Sequence, residues 1–149
     1  MSSALKVHYS SKKEDWQTPD DLYTRLNDEF GPFTLDAAAS SENAKCAAFF
    51  SKELDALNRD WTGRVWLNPP YGRKLYTWFH KAVLETKVLR HAQRVVMLVP
   101  ARTDTRWFHD FVQPYADDVQ FLKGRVTFKG AKHPAPFPSM VVVFERSAS

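Results

Sequence analysis

Apolar side chains recur at helical spacing in three parts of the chain. The segment from Thr18 to Phe30 is predicted to be a helix, because Thr18 can cap its first turn and Pro19 suits the first helical position. The same spacing predicts a second helix after residue 74 and a third around residues 107–112. The apolar positions that define these helices are Leu22, Leu26, Phe30, Leu75, Trp78, Phe79, Ala82, Val83, Leu89, Trp107, Phe108, Phe111 and Val112.

Short, continuous apolar runs separate the helical segments and predict strands. The run at 94–101 is apolar on successive positions, which is typical of a strand buried on both faces. Residues 41–60 are ambiguous, since alanines favour a short helix and the pair Phe49-Phe50 favours a strand that leads into a loop. The other predicted strands are residues 33–35, 65–67, 117–122 and 139–145.

Helices and strands therefore alternate, which favours an α/β fold with a mostly parallel sheet and helices on both faces. The last predicted strand has no helix before it, so we expect it to enter the sheet antiparallel. A chain of 149 residues is typical of one domain, and we predict a flexible arm at 1–13 followed by a single domain at 14–149. Ligands of such sheets bind beyond the carboxyl ends of the strands, where Asp36, Asn68 and Pro100 fall.

Charge is unevenly distributed along the chain, whose overall net charge is +4. Residues 1–60 contain 7 Lys or Arg and 11 Asp or Glu, a net charge of −4. Residues 61–149 contain 14 and 6, a net charge of +8. A basic C-terminal part favours a polyanionic partner, and an ordinary solvated surface is the alternative.

Cysteine use and hydropathy indicate the compartment. The single cysteine, Cys46, excludes an internal disulfide and a multi-cysteine metal site. The chain has neither an apolar run of about 20 residues that could cross a bilayer nor the apolar stretch of a signal peptide in its first ten residues. We therefore expect a soluble protein of the cytoplasm.

The segment WLNPPYG, Trp66 to Gly72, joins a buried strand to a stiff turn that presents an amide and a phenol ring. The amino group of a heterocyclic base is a poor nucleophile, because its lone pair is delocalised into the ring. Two acceptors directed at its hydrogens, the Asn68 side-chain oxygen and the Pro69 carbonyl, can localise that lone pair. Pro70 stiffens the turn, and Tyr71 offers a face for stacking, worth about 1–3 kcal/mol per base. A plain Pro-Pro turn with a core aromatic is the simpler interpretation.

The chain resembles the small phage-type DNA N6-adenine methyltransferases, the phage Dam family, which use S-adenosylmethionine. The resemblance extends from DWQTPDDLYTRL through FGPFTLDAAAS and WLNPPYG to PFPSMVVVFE. It implies a compact, Rossmann-like class I methyltransferase fold without a separate target-recognition domain. It also implies that Asn68, Pro69, Pro70 and Tyr71 form the catalytic turn. Asn68 and Pro69 would accept from the adenine amino group, and Tyr71 would stack on an adenine flipped out of the duplex.

The resemblance also implies contacts to the cofactor. Asp36 would pair with the methionyl ammonium of S-adenosylmethionine, and the small Ala37 would permit close approach. Alanines occupy 37–39, where class I methyltransferases usually have glycines. Thr18 and Pro19 match a Thr-Pro element that contacts the cofactor carboxylate, and a plain helix cap is the alternative for Thr18.

A second cofactor element is the segment ELDAL. Asp55 would accept from the amino group of the cofactor adenine, and Leu57 would pack on its ring. A solvated loop acid is the alternative for Asp55. Residues 36–55 are too few for a complete strand-helix-strand unit between these two elements.

Basic residues near the predicted turn and in the last third of the chain are candidates for phosphate contacts, which position a duplex without reading its sequence. Ordinary surface charge is the simpler interpretation. In the family the segment between the last two strands lies near the target-base pocket, where Phe137 would be a wall or a core residue. The candidate DNA-binding residues are Arg73, Lys74, Arg102, Arg125, Lys129 and Phe137.

The predicted function is therefore methylation of adenine N6 in duplex DNA by a monomer or homodimer encoded by a phage or prophage. One alternative keeps the chemistry and changes the substrate to RNA or to a protein glutamine amide. Another is an inert DNA-binding module on the same scaffold, an interpretation that the alanines at 37–39 leave open.

Overall fold

The computed structural model describes residues 16–148, and the predicted arm at 1–13 lies outside the described residues. Its strands are β1 (Leu35–Asp36), β2 (Gly63–Leu67), β3 (Ala92–Pro100), β4 (Asp118–Phe121) and β5 (Ser139–Glu145). These five strands form one sheet in the order β1-β2-β3-β5-β4. The predicted first strand, 33–35, is shifted by two residues at its start.

The direction of the strands confirms the expectation of a mostly parallel sheet with an antiparallel last strand. β1, β2 and β3 run parallel, whereas β5 lies antiparallel between β3 and β4. A parallel return would need a crossover connection, and the segment 122–138 between β4 and β5 has no helix. The carboxyl ends of β1, β2, β3 and β4 therefore share one edge of the sheet, here called the carboxyl edge.

The helices are α1 (Asp20–Phe30), α2 (Leu75–Val83) and the short α3 (Gln113–Tyr115). π-Helical turns extend α2 at its C-terminal end (Leu84–Val88) and precede α3 (Phe108–Val112). Leu89, predicted within the second helix, lies beyond these turns and is exposed. Among residues 16–148, no helix combines the length and the apolar character needed to cross a membrane.

The prediction for the cap and the first residue of α1 is wrong by one residue. The helix begins at Asp20, and Pro19 is its flanking residue, with an extended backbone (φ −62°, ψ 146°) and no side-chain capping bond. Thr18 cannot cap this first turn because it precedes the flanking position, and its hydroxyl has another partner, described below. The carbonyl of Pro19 accepts from the Tyr23 N–H at 3.1 Å.

Residues 37–62 replace a crossover unit with turns. Phe49 forms an isolated parallel bridge to Asp36, and two 3₁₀ turns follow, Lys52–Leu54 and Ala56–Asn58. The short helix considered for this region does not form. The Asp36 N–H donates to the Ala48 carbonyl at 3.0 Å, and the Phe50 N–H donates to the Asp36 carbonyl at 2.9 Å. These bonds to β1 take the backbone groups that a helix would need.

Helices and loops cover both faces of the sheet. α2 and the helical segment at 106–115 pack on one face, against Val65, Val95 and Met97. α1 and the segment 122–137 pack on the opposite face. β3 is buried on both faces from Val95 to Pro100, as its continuous apolar run predicts.

The amino ends of β2 and β3 are anchored by the fully buried Glu85. One carboxylate oxygen accepts from the Trp61 N–H at 2.5 Å and lies 3.2 Å from His91 Nδ1, and the other lies 3.3 Å from Lys81 Nζ. Asp60, Glu85 and His91 bring one ligand atom each within 4.8 Å of one another. The Lys81 ammonium neutralises Glu85, so we interpret this cluster as a structural ion pair at the edge opposite the carboxyl edge.

Candidate active site

The carboxyl edge collects the residues on which the functional prediction depends. Asp36 ends β1 and pairs in register with Trp66, and Asn68 directly follows the last residue of β2. β3 ends nearby at Pro100. The polar side chains at the end of β1 and directly after β2 are therefore held at one edge by the register of the sheet.

The turn after β2 is rigid and leads directly into α2. Pro69 is buried and Pro70 half-buried, and both fix their own φ. Gly72 has a φ of 123°, a conformation that side-chain-bearing residues rarely adopt. Its carbonyl accepts from the Leu75 N–H at 3.1 Å. The turn thus leaves Asn68 little freedom of position.

The Asn68 amide has a defined orientation. Its nitrogen donates to the Trp16 carbonyl and, at 2.9 Å, to the Thr18 hydroxyl. A backbone carbonyl can only accept, so the nitrogen, and not the oxygen, must face Trp16. The Asn68 oxygen accepts from the Tyr71 hydroxyl at 2.9 Å. An amide oxygen has two lone pairs, and this arrangement leaves it capacity for a second donor.

Tyr71 belongs to a box of four aromatic rings. Its ring centroid lies 6.5 Å from that of Trp16, with planes 21° apart. Phe128 and Phe137 present their edges at 6.4 and 5.8 Å. Tyr71 is only 6% exposed, so the open stacking face predicted from the sequence is covered by Trp16.

The Tyr71 hydroxyl remains a donor over the whole physiological range. Burial raises its pKa far above the ordinary value of 10. The hydroxyl lies 3.0 Å from the Leu98 carbonyl as well as near Asn68. Because both neighbours are acceptors, the phenol proton always has a partner on this side.

A cavity of about 420 Å³ lies beside Asn68 and extends to Asp36. Lys45 forms part of its wall, and its ammonium group bonds to Asp20 at 3.0 Å. The size is within the range of small-molecule sites. Its lining residues are Trp16, Gln17, Thr18, Asp20, Tyr23, Thr24, Asp36, Ala38, Glu42, Asn43, Ala44, Lys45, Trp66, Asn68 and Lys129.

Asp36 is a buried acid with few partners. Its carboxylate accepts from the N–H groups of Lys45 and Ala38, at 2.9 and 3.3 Å. Burial raises the pKa of Asp36 to about 6, against the lowering effect of these two bonds and of the Lys45 charge. A cation placed in the cavity would restore the charged form.

Of the other predicted cofactor residues, Thr18 lines the same cavity as Asp36, whereas Pro19, Ala37, Asp55 and Leu57 do not. Ala37 is fully buried, and its N–H donates to the Trp66 carbonyl at 3.1 Å. Asp55 is exposed, with a left-handed backbone (φ 50°) between the two 3₁₀ turns. Neither Asp55 nor Leu57 lines the cavity, and Pro19 faces a separate groove on the other side of α1.

The predicted DNA-binding residues follow the strand ends. Arg73 and Lys74 come after the turn, and Arg102 comes two residues after β3, with its guanidinium carbon 6.0 Å from the Phe137 ring centroid. Arg125 and Lys129 lie in the segment 122–138. All five side chains are exposed, whereas Phe137 is buried in the aromatic box.

Two parts of this site are not predicted by the sequence. Trp16 lies within the segment DWQTP, and nothing in the sequence links its carbonyl to Asn68. Phe128 lies in the segment between the last two strands, and it packs with Phe137 at a centroid distance of 6.2 Å. An aromatic residue among glycines and lysines was the available signal for a buried wall.

Comparison with known proteins identifies the family. The chain is 39% identical over 106 residues to the DNA N-6-adenine-methyltransferase of Escherichia phage T1, covering 70% of this chain and 43% of that protein. It is 32% identical over 145 residues to the DNA N-6-adenine-methyltransferase of Haemophilus phage HP1, covering 93% of this chain and 82% of that protein. The chain thus corresponds to less than half of the length of the phage T1 protein.

A solved structure shares the fold. The crystal structure of a candidate RNA methyltransferase from Pyrococcus horikoshii matches with a TM-score of 0.51 and 14% identity, covering 79% of this chain and 65% of that one. This likeness, with the sheet order described above, supports the Rossmann-like α/β methyltransferase fold. The sequence model of the DNA N-6-adenine-methyltransferase (Dam) family matches residues 6–146, and the chain belongs to that family.

Proposed function

We propose that the protein transfers a methyl group from S-adenosylmethionine to the N6 amino group of adenine in DNA. The observation that carries this proposal is the fixed amide of Asn68, whose oxygen has spare acceptor capacity beside a cavity at the carboxyl edge. Membership of the Dam family and the names of its phage relatives agree with it.

The proposed reaction depends on holding adenine and the methyl donor in position more than on reactive side chains of the protein. The Asn68 oxygen and the Pro69 carbonyl accept the two amino hydrogens of adenine, which localises the nitrogen lone pair and directs it toward the methyl donor. S-Adenosylmethionine, when bound, supplies an electrophilic methyl group on a positively charged sulfur. Holding the two reactants in line can contribute several powers of ten to the rate. The N6 lone pair would form the new N–C bond as the bond from sulfur to the methyl group breaks, S-adenosylhomocysteine would leave, and one N6 proton would pass to solvent, so no side chain has to form a covalent intermediate.

The cavity beside Asn68 suits the amino-acid end of the cofactor. Asp36 offers a carboxylate in a buried wall, and a ligand ammonium would supply the positive partner that this acid has only partly in Lys45. For the cofactor adenine we propose Asp55 and Leu57, since Leu57 packs on the same core face as the cavity residue Ala38.

A target adenine requires a rearrangement of the aromatic box. Trp16 covers the face of Tyr71 on which the base would stack, so its side chain must move away or open a gap between the two rings. Phe137 and Phe128 would then enclose the base from the edges. Extrusion of the base from the duplex is needed because N6 is otherwise inside the stack.

We further propose that the exposed cations along the carboxyl edge contact the phosphates on both sides of the flipped base. The partner is duplex DNA, bound by a monomer or homodimer, and the compartment is the cytoplasm of the bacterial host. The separation of charge along the chain supports this partner, since the basic part includes the segments that build the edge after β2, β3 and β4.

The proposed role of Asp36 in cofactor binding can be tested by the pH dependence of the affinity. Because burial raises its pKa to about 6, above the unfolded value, its contribution to the stability of the free protein declines as the pH rises from about 4 to 6. Pairing with an ammonium requires the carboxylate, so binding below pH 6 releases a proton. We expect cofactor affinity to increase about tenfold from pH 5 to pH 7.

Titration calorimetry at both pH values measures this change. Asp36→Asn should bind weakly and with little pH dependence, because an amide does not titrate. Methylthioadenosine, which lacks the amino-acid part, is the control ligand and should bind equally at pH 5 and pH 7. If the cofactor affinity of the wild-type protein did not change between pH 5 and pH 7, or if Asp36→Asn showed the same increase, Asp36 would not be part of the cofactor site.

The proposed function is tested with methyl-labelled S-adenosylmethionine and DNA from a methylation-deficient host. Digestion to nucleosides and chromatography should place the label in N6-methyldeoxyadenosine. Label absent from DNA but present in RNA or protein would overturn the substrate assignment in favour of those classes. Absence of label together with absence of cofactor binding would instead indicate an inert DNA-binding module.

A further inference from the structure

Thr18 is buried against the catalytic turn and is not a helix cap. The residue is 2% exposed, and its hydroxyl accepts from the Asn68 amide nitrogen at 2.9 Å. The residues are 50 positions apart in the chain. This buried hydroxyl therefore bonds to Asn68, the side chain on which the proposed reaction depends.

The segment from Trp16 to Thr18 takes both hydrogens of the Asn68 amide. One is directed at the Trp16 carbonyl and the other at the Thr18 hydroxyl. Rotation of the amide by 180° would place its oxygen against the Trp16 carbonyl, and two acceptors would then face each other. The orientation that presents the Asn68 oxygen is therefore imposed by this segment.

The segment is itself held in place on two sides. The Gln17 carbonyl accepts from the Lys129 N–H at 2.9 Å, which joins it to the segment 122–138. α1 begins two residues after Thr18, so the helix fixes its other end. Because the segment is held at both ends, it can keep the Asn68 amide in a fixed position.

We propose that Thr18 is a positioning residue for methyl transfer, which it serves by fixing the direction of the Asn68 amide oxygen. This inference rests on the proposed function and differs from the cofactor-carboxylate contact that the Thr-Pro element implies. Loss of the hydroxyl leaves one amide hydrogen of Asn68 without its partner, so that the Trp16 carbonyl alone holds the amide and its oxygen is placed less precisely. Misplacement of a reacting group by about 1 Å can reduce a rate 10²-fold.

The test compares Thr18→Val, which keeps the shape and loses the hydroxyl, with Thr18→Ser, which keeps the hydroxyl. We expect Thr18→Val to slow single-turnover methyl transfer about 10- to 100-fold while cofactor affinity stays within about threefold. Thr18→Ser should retain most of the rate. Thr86→Val is the matched control, because Thr86 is equally buried and its hydroxyl donates to the Ala82 carbonyl at 2.8 Å, away from the cavity, and it should transfer at the wild-type rate.

Several outcomes would overturn the inference. Equal losses of rate and cofactor affinity in Thr18→Val would indicate the cofactor contact instead. Equal rates for Thr18→Val and Thr18→Ser would show that the hydroxyl is not what matters. Thr18→Ala provides a second hydroxyl-free variant if the valine variant does not fold, and the same expectations apply to it.

A measurement independent of activity separates this inference from the proposed function. In the wild-type protein the two Asn68 amide protons should exchange slowly with solvent by NMR, and in Thr18→Val their exchange should become faster. Unchanged exchange would overturn the positioning role even in an active enzyme. If the wild-type protein methylated no DNA but its Asn68 amide protons exchanged slowly, and exchanged faster in Thr18→Val, the positioning would be supported and the function refuted.

Discussion

Asn68→Ala is expected to reduce methyl transfer by about 10²- to 10³-fold, comparable to the loss of one oxyanion-hole group in an enzyme. The substitution removes the only side-chain acceptor that the proposed mechanism directs at the adenine amino group. It leaves Asp36 and the rest of the cavity wall intact. Cofactor affinity should therefore stay within a few-fold of the wild-type value.

Single-turnover transfer and titration calorimetry, run on the same preparation, check this expectation. Asn27→Ala is the matched control, because Asn27 lies outside the cavity and its side-chain oxygen accepts from the Phe33 N–H at 2.8 Å. That variant should keep a nearly normal rate. A parallel fall of rate and affinity in Asn68→Ala would mean that the turn has a structural and not a chemical role.

Tyr71→Ala is expected to lower the free energy of unfolding by about 3–5 kcal/mol, the usual range for removal of a large buried aromatic side chain. The ring is almost fully buried and touches three other rings, so its loss opens a cavity in the core around β3. It also removes the stacking surface proposed for the base. A variant that is still folded should show a further loss of DNA methylation.

Tyr71→Phe measures the contribution of the hydroxyl to stability separately from that of the ring. The phenylalanine keeps the packing and loses a hydrogen bond, which should cost about 1 kcal/mol with the fold retained. Urea denaturation of both variants supplies the measurement. If Tyr71→Ala were destabilised by no more than Tyr71→Phe, the aromatic box would not be the packed unit that the ring distances indicate.

Much of the fold could be predicted because it depends on local pattern. The apolar run before Asn68 becomes β2, the continuous run at 94–101 becomes β3, and the missing helix before the last strand explains its antiparallel entry. The family could likewise be recognised from short motifs. Register then brings Asp36 and Asn68 to one edge, as the rule for parallel strands requires.

The sequence alone determined the α/β order, the family and the turn that ends β2, because strand and helix periodicities and proline stiffness act within a few residues. Only the tertiary structure decided the partner of Thr18, the covering of Tyr71 by Trp16, and the position of Asp55 and Leu57 outside the cavity beside Asn68. Each of these depends on how α1 and the loops pack across the sheet. Contacts between residues 50 positions apart arise from that packing, and no local pattern encodes them.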